Sequence, residues 1–283
     1  MLVNARNLVR KMRGGAQAHM LECDDDRFYV VKFRNNPQHR RILVNEWISS
    51  VFLRYLEISS PDTAIVNLSA AFLEQNPDAC LQLGSTKIKP EVGWHFGSCY
   101  PGDPGRVSVY DFIPDILLQK VENLADFLAV LAFDKWMGNA DARQSIFFRA
   151  RIRQYLPASR GAPASRDAPA KTGFVAHMMD HGYVFDGPHW DFPESPLQGL
   201  YFRPLVYAHV RGFDDFQPWL DRIVHFPEEI VDDALKQLPP QWLNGDRPVL
   251  ERILTRLMER RRRVPDLIRD SAKGRVNLFP NWK

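Results

Sequence analysis

Cysteine is scarce: Cys23, Cys80 and Cys99 are the only three in 283 residues, and none stands in CxxC spacing. An odd, scattered set argues against a disulfide framework and a thiolate zinc site, and points to a reducing compartment. Long apolar runs are missing too. The best, Phe127 to Phe133, falls well short of the roughly 20 residues that cross a bilayer, so no membrane partner is expected. The stretch Met1-Leu2-Val3-Asn4-Ala5-Arg6 carries no apolar signal core before its first charge, and cytoplasmic residence is the default. Charge of one sign is not in excess either: 37 basic against 34 acidic residues leave +3, no field that argues for nucleic acid. There are no internal repeats.

What is present is ordinary globular material, 45% hydrophobic and 25% charged, long enough to bury a sizeable core in one two-lobed domain. Residues 1 to about 112 are written as short strands with one helix. Leu8–Lys11, a Gly14-Gly15 break, Ala18–Cys23, the turn Asp24-Asp25-Asp26 and Arg27–Phe33 make a meander of three strands. Ile42, Trp47, Ile48, Val51, Phe52, Tyr55 and Leu56 recur at three- and four-residue steps, an amphipathic helix that contains Glu46. Ala64–Leu68 returns to strand, Gly93 to Gly105 is a loop rich in Gly and Pro, and Val107–Phe112 is the last strand of this half.

Helical periodicity takes over at Pro114-Asp115, and the boundary is set near residue 112. Leu117, Val121, Leu124, Leu128 and Leu131 form one stripe, with Asn123 as a cap for a second helix and Gly138 as its stop. Two strands, Ser145–Arg151 and Phe174–Met179, flank residues 154–172, which are too poor in apolar residues to pack and are expected to be a mobile insert. Pro227-Glu228-Glu229 and Asp246-Arg247-Pro248 are helix starts in a helical remainder. The class is α+β, strand-rich first and mainly helical in residues 113–283.

Chemistry concentrates in Phe133–Gln144 and Met179-Asp180-His181-Gly182. A helix that stops at Gly138-Asn139, presents Asp141 in the next loop, and is followed by Asp180-x-Gly at a strand end is how phosphotransferases arrange base and metal carboxylate. Phosphoryl transfer needs a lysine on the phosphates, a held metal and a base that orients the acceptor hydroxyl. Lys32 stands inside an apolar strand, where an ammonium is costly unless paired or bound to an anion, and Glu46 on the next helix is its candidate partner. Asp141 follows a helix C-terminus, where the dipole does not favour a carboxylate, so capping does not account for it. Gly14-Gly15-Ala16-Gln17 lets backbone amides approach phosphates but lacks a full nucleotide fingerprint. Taken singly, each has a plain reading: a solvated lysine, a helix-surface glutamate, turn aspartates.

Taken in order, Arg13–Met20, Val31-Lys32-Phe33, Asn45-Glu46, Gly97-Ser98, Asp134–Asp141 and Asp180-His181-Gly182 resemble the HipA-like kinase family over nearly the whole chain. The resemblance implies a two-lobed protein-kinase-like fold related to the phosphatidylinositol kinases, and transfer of the ATP γ-phosphate to a hydroxyl acceptor, expected to be a protein serine or threonine. It places Lys32 on the ATP phosphates with Glu46 as its ion-pair partner, Asp141 as base, Asp180 as Mg2+ ligand and Asn139 in the catalytic loop. Such kinases carry a metal-binding Asn five residues after the base, and here that residue is Ile146, which cannot ligate a cation. Gln144 is the nearest replacement and Ser145 the other candidate. The best-known members of the family it resembles are bacterial serine/threonine kinases acting as toxins; the chain lacks a counterpart of their N-terminal region, so an antitoxin partner is not expected.

Three rivals stand beside this. A metal hydrolase would draw on His177, Asp180, His181 and His189. A basic module would use Arg260-Arg261-Arg262-Arg263 with Arg252, Arg256 and Lys273, although such a run is more often a solvated helix end, where cations suit the dipole. A pseudokinase that binds nucleotide without transferring phosphate is favoured by Ile146.

Overall fold

The structure, a computed structural model, describes residues 1–155, 171–195, 198–272 and 278–283. The insert expected at 154–172 therefore lies outside the described residues except at its flanks, as does Lys273.

The chain runs β1 (Leu2–Lys11), β2 (His19–Cys23), β3 (Phe28–Lys32), α1 (Arg41–Tyr55), β4 (Thr63–Leu68), α2 (Ala70–Gln75), β5 (Leu81–Leu83), β6 (Thr86–Ile88) and β7 (Gly93–Cys99). Five of these strands close into a barrel in the order β1-β2-β3-β7-β4, with β4 returning parallel to β1 so that Val66 lies opposite Val3. Period-two alternation decides which side chains fill it. Tyr29 and Val31 of β3 and Phe33 just beyond point inward and are fully buried with Leu21, Cys23, Val66 and Leu68. Phe28, Val30 and Lys32 take the other face.

One correction falls here. Gly93 to Gly105 was expected to be loop, yet Gly93–Cys99 is β7, paired to both β3 and β4. Glycine disguises the strand because the barrel is narrow: a Cβ on Gly97 would lie 2.5 Å from Val66 Cγ2, so close backbone approach requires the missing side chain.

The second half holds β8 (Val109–Tyr110), α3 (Asp115–Leu118), α4 (Asp126–Met137), β9 (Gln144–Arg151), β10 (Thr172–Met179), α5 (Trp219–Val224), α6 (Glu228–Lys236), α7 (Pro240–Leu243), α8 (Arg247–Arg260) and α9 (Val264–Ala272). The strand expected over Val107–Phe112 shrinks to β8, which pairs with β9 in a sheet ordered β10-β9-β8 rather than with the barrel. The leucine stripe is split between α3 and α4, and Asn123 is no cap. Its amide donates to Asp126 Oδ2 at 2.9 Å and to the Ala176 carbonyl at 2.8 Å, tying the start of α4 to β10. Gly138 does end α4, in the left-handed region at φ 61°, where a Cβ is unfavourable. Helix starts at Glu228 and Arg247 fall where expected.

The larger core gathers around α1 and α4. All twelve residues of α4 are buried, Asp126, Asp134 and Lys135 included, and α1 buries Asn45, Glu46, Ser49 and Ser50. The amphipathic reading of α1 therefore located the helix but not its surroundings. A helix covered on every face must pair its polar side chains inside the protein, and these pairings build the site. No described helix is long and apolar enough to cross a membrane.

Candidate active site

The Lys32 ammonium, at the end of β3, donates to Asp180 Oδ1 at 2.7 Å and to Glu46 Oε1. The side chains are 13%, 31% and 5% exposed for Lys32, Asp180 and Glu46. Burial alone would lower the lysine pKa, but Asp180 and Glu46 outweigh it and raise it above the usual value. Burial pushes the Glu46 carboxyl up, against the pull of Lys32. Lys32 holds the Asp180 carboxyl below the ordinary range. The result is a charged ammonium beside an ionised, partly open carboxylate.

Helix α1 holds the Asp180 loop with two successive residues. Glu46 Oε2 accepts from the His181 amide at 3.1 Å. The Asn45 amide nitrogen donates to the carbonyls of Gly182, Val184 and Gly187 at 2.7, 3.0 and 3.0 Å, and its oxygen accepts from Trp190 Nε1 at 2.8 Å. Asp180, Phe185 and Asp186 take positive φ of 59°, 58° and 64°, conformations that persist only where surroundings enforce them.

The segment after α4 is stitched to the same loop. Ala140 N bonds the Tyr183 carbonyl at 2.9 Å, and Gln144 lies opposite Met179 in the β9–β10 ladder. Asp141 is exposed between these ties; its Oδ1 accepts from the Ala142 amide at 2.7 Å, and its own amide donates to Asn139 Oδ1 at 3.2 Å. Asn139 is fully buried and donates to Asp134 Oδ1 at 3.0 Å. Arg143 grips Asp134 through Nε and Nη2 at 2.7 and 2.6 Å and donates from Nη1 to the Met179 carbonyl at 2.6 Å.

Sequence reasoning assigned no role to Asn45, Asp134 or Arg143. The signals existed: Asn45 falls on the stripe between Ile42 and Phe52, and Asp134 interrupts the apolar run of α4. A polar group on a buried face requires a partner. What the sequence cannot show is which partner folding supplies.

Gly14, Gly15 and Gln17 form the β1–β2 turn, with Gly14 at φ 121°. The Gln17 side chain is tied to Gln82, donating to its carbonyl at 2.7 Å and accepting from its amide at 2.6 Å. Gln144 is exposed at the start of β9, whereas Ile146 is buried opposite His177. Ser145 Oγ is buried without a hydrogen-bond partner among the described residues.

The rival ligand set is dispersed. His177 packs edge-on against Phe148 at 4.8 Å and His181 against Phe133 at 5.8 Å, and among the described residues no three His, Cys, Asp or Glu side chains gather as a metal site. The basic run is likewise engaged within the chain: Arg260 and Arg263 bond Glu194 at 2.8 and 2.7 Å, and Arg261 bonds the Phe226 carbonyl at 2.7 Å.

Beside the triad opens a cleft lined by Val30, Lys32, Phe96, Ser98, Met178 and Asp180 among others. The family model described as HipA-like kinase matches residues 6–147, half of the chain. The chain belongs to the HipA-like kinase family. Its members' name makes it a kinase, a phosphotransferase, and the match takes in Lys32, Glu46, Asn139, Asp141 and Gln144. No curated protein matches this HipA-like chain by sequence. Among solved structures, a Golgi casein kinase aligns over 96% of this chain and 74% of its own with TM-score 0.50 at 12% identity, which establishes a protein-kinase-like fold and no more. A second structure of the Golgi casein kinase, with Mn/ADP bound, covers 96% of this chain and 73% of its own at 13% identity and TM-score 0.47.

Proposed function

We propose that this HipA-like kinase binds ATP between a strand-rich lobe, residues 1–112, and a helical lobe, residues 113–283, and transfers the γ-phosphate to a hydroxyl acceptor, a protein serine or threonine. The observation that carries the reading is the contact of Lys32 with both Glu46 and Asp180. An ammonium held by two carboxylates at a cleft is preorganised to take a phosphate oxygen in exchange for one of them. Glu46, the more deeply buried, keeps the lysine aimed; Asp180, a third exposed, is the carboxylate to meet a cation.

The donor types suit Mg2+: the Asp180 carboxylate would hold it, with the amide oxygen of Gln144, whose backbone lies opposite Met179, as the second protein donor to draw on. Bound there, the cation would neutralise phosphate charge. Gly14 and Gly15 bring main-chain amides toward the phosphates, with Gln17 bracing that turn through Gln82. Asn139 shapes the loop so that Asp141, exposed after α4, orients the acceptor hydroxyl and receives its proton.

The buried Ile146 favours a second reading, a nucleotide-binding pseudokinase. Transfer of label from γ-labelled ATP by the wild type and by Asp141→Asn, alongside nucleotide titration, separates the two. Transfer by wild type alone supports the kinase; binding without transfer in both proteins favours the pseudokinase; no binding ends both.

A further inference from the structure

Asp134 and Arg143 are an ion pair with both side chains fully buried. Isolated burial of two charges is costly, and apolar replacements of such pairs are often as stable or more so, so stability alone is a poor reason for this arrangement. Its connections are specific. Arg143 uses one edge on Asp134 and the remaining Nη1 on the carbonyl of Met179, the residue before Asp180. Asp134 in turn accepts from Asn139, which fixes the amide of Asp141. Gly199 closes the far side: its amide donates to the Asp141 carbonyl at 3.1 Å, and its φ is +69° with room for no Cβ, since one would lie 2.2 Å from Asp134 Cβ. The Arg143 amide donates to the Leu200 carbonyl at 3.0 Å.

We propose that Asp134 and Arg143 are positioning residues for phosphoryl transfer, setting the separation between the loop that carries Asp141 and the strand end that carries Asp180. This rests on the roles given to Asp141 and Asp180 above. The planar guanidinium serves two directions at once, the carboxylate fork and the carbonyl, which a lysine ammonium cannot do in the same geometry. A displacement of about 1 Å between reacting groups costs on the order of a hundredfold in rate.

The test uses the full chain with ATP and Mg2+, counting label passed from γ-labelled ATP to protein or water. Three readouts are taken: thermal midpoint, kcat and KM for ATP, and ATP affinity by calorimetry with and without Mg2+. Arg143→Lys lowers the midpoint and reduces kcat about a hundredfold with KM little changed. The double variant Asp134→Asn/Arg143→Gln removes both buried charges, so its midpoint returns near that of wild type, while kcat stays low. The double variant also keeps metal-free ATP affinity, which Lys32 supplies, and loses most of the gain that Mg2+ adds. A double variant that recovers turnover and the Mg2+-linked gain together with its midpoint shows a merely structural pair and overturns the role. Where wild type binds ATP without transferring phosphate, the Mg2+-linked gain alone decides, by the same comparison. Wild type that binds no ATP at all overturns the kinase reading itself and this role with it, a result distinct from the others.

Discussion

Lys32 and Asp180 are 148 positions apart in the chain, and their side chains meet at 2.7 Å. That contact joins the barrel to the end of β10 at the cleft, with Glu46 closing it from α1. Removing the ammonium leaves two carboxylates facing one another with little water to separate them. Lys32→Met is therefore expected to abolish phosphate transfer and to destabilise the fold by about 3 kcal/mol, read by denaturant unfolding. Adding Glu46→Gln should recover most of the stability and none of the transfer. Equal stability of Lys32→Met and wild type would show that the three charges are not coupled.

Asp141 offers the opposite case. It is exposed, and its Oδ1 accepts a single amide hydrogen, from Ala142, a bond that the oxygen of an asparagine can keep. Asp141→Asn should thus unfold at the midpoint of wild type while losing about 10²- to 10⁴-fold in turnover. Retained turnover would place the base elsewhere.

Asn45 supports the loop without touching the cleft. Truncation to Ala orphans Trp190 Nε1 and the Gly182 and Gly187 carbonyls in a buried site, at about 1 kcal/mol each, while the Val184 carbonyl keeps the Gly187 amide. Asn45→Ala is expected to lose about 3 kcal/mol or more in denaturant unfolding, and Asn45→Asp, which retains the acceptor for Trp190 but not the three donations, to fare no better. A loss below about 1 kcal/mol would mean that the loop at Asp180 is fixed by other contacts.

How far the sequence disclosed this site depends on the kind of contact. The β1–β2–β3 meander, α1, the stop at Gly138 and the β9–β10 pair are written in local periodicity and turn chemistry and appear in that order, although β1 begins at Leu2 rather than Leu8. Lys32 and Glu46 were legible as a pair because an apolar strand makes a lysine conspicuous. β7 was not, since Gly97 is dictated by the distance to Val66 rather than by strand propensity. The clasp from Asn45 and the fork from Arg143 are addressed to backbone carbonyls, and a carbonyl has no residue identity for a sequence to reveal. Charge runs misled in the same way: Arg260 is spent on Glu194 and the Lys135 carbonyl, not on solvent.

Acid sensitivity follows in part from two buried histidines to which no catalytic role is given. His95 is buried with both nitrogens committed, Nδ1 accepting from the Arg34 amide at 2.9 Å and Nε2 donating to the Glu91 carbonyl at 2.8 Å; burial, with Arg34 adding to it, pushes its pKa down to about 4. Burial does the same to His177, also to about 4, and Asp62 only partly opposes it. Both rings titrate near 6.5 once unfolded. Between pH 4 and 6.5 the unfolded chain binds more protons than the folded one, so stability is full above pH 6.5 and falls as pH drops through that window. At pH 5 each histidine accounts for a loss of about 2 kcal/mol relative to pH 7. Glu46 works in the opposite sense, because its raised pKa lets the folded chain take up a proton first. Comparing wild type with His95→Gln separates the contributions: the variant should lose about 2 kcal/mol less between pH 7 and pH 5 in denaturant unfolding. Parallel losses in the two proteins would show that His95 takes up its proton without opening the barrel.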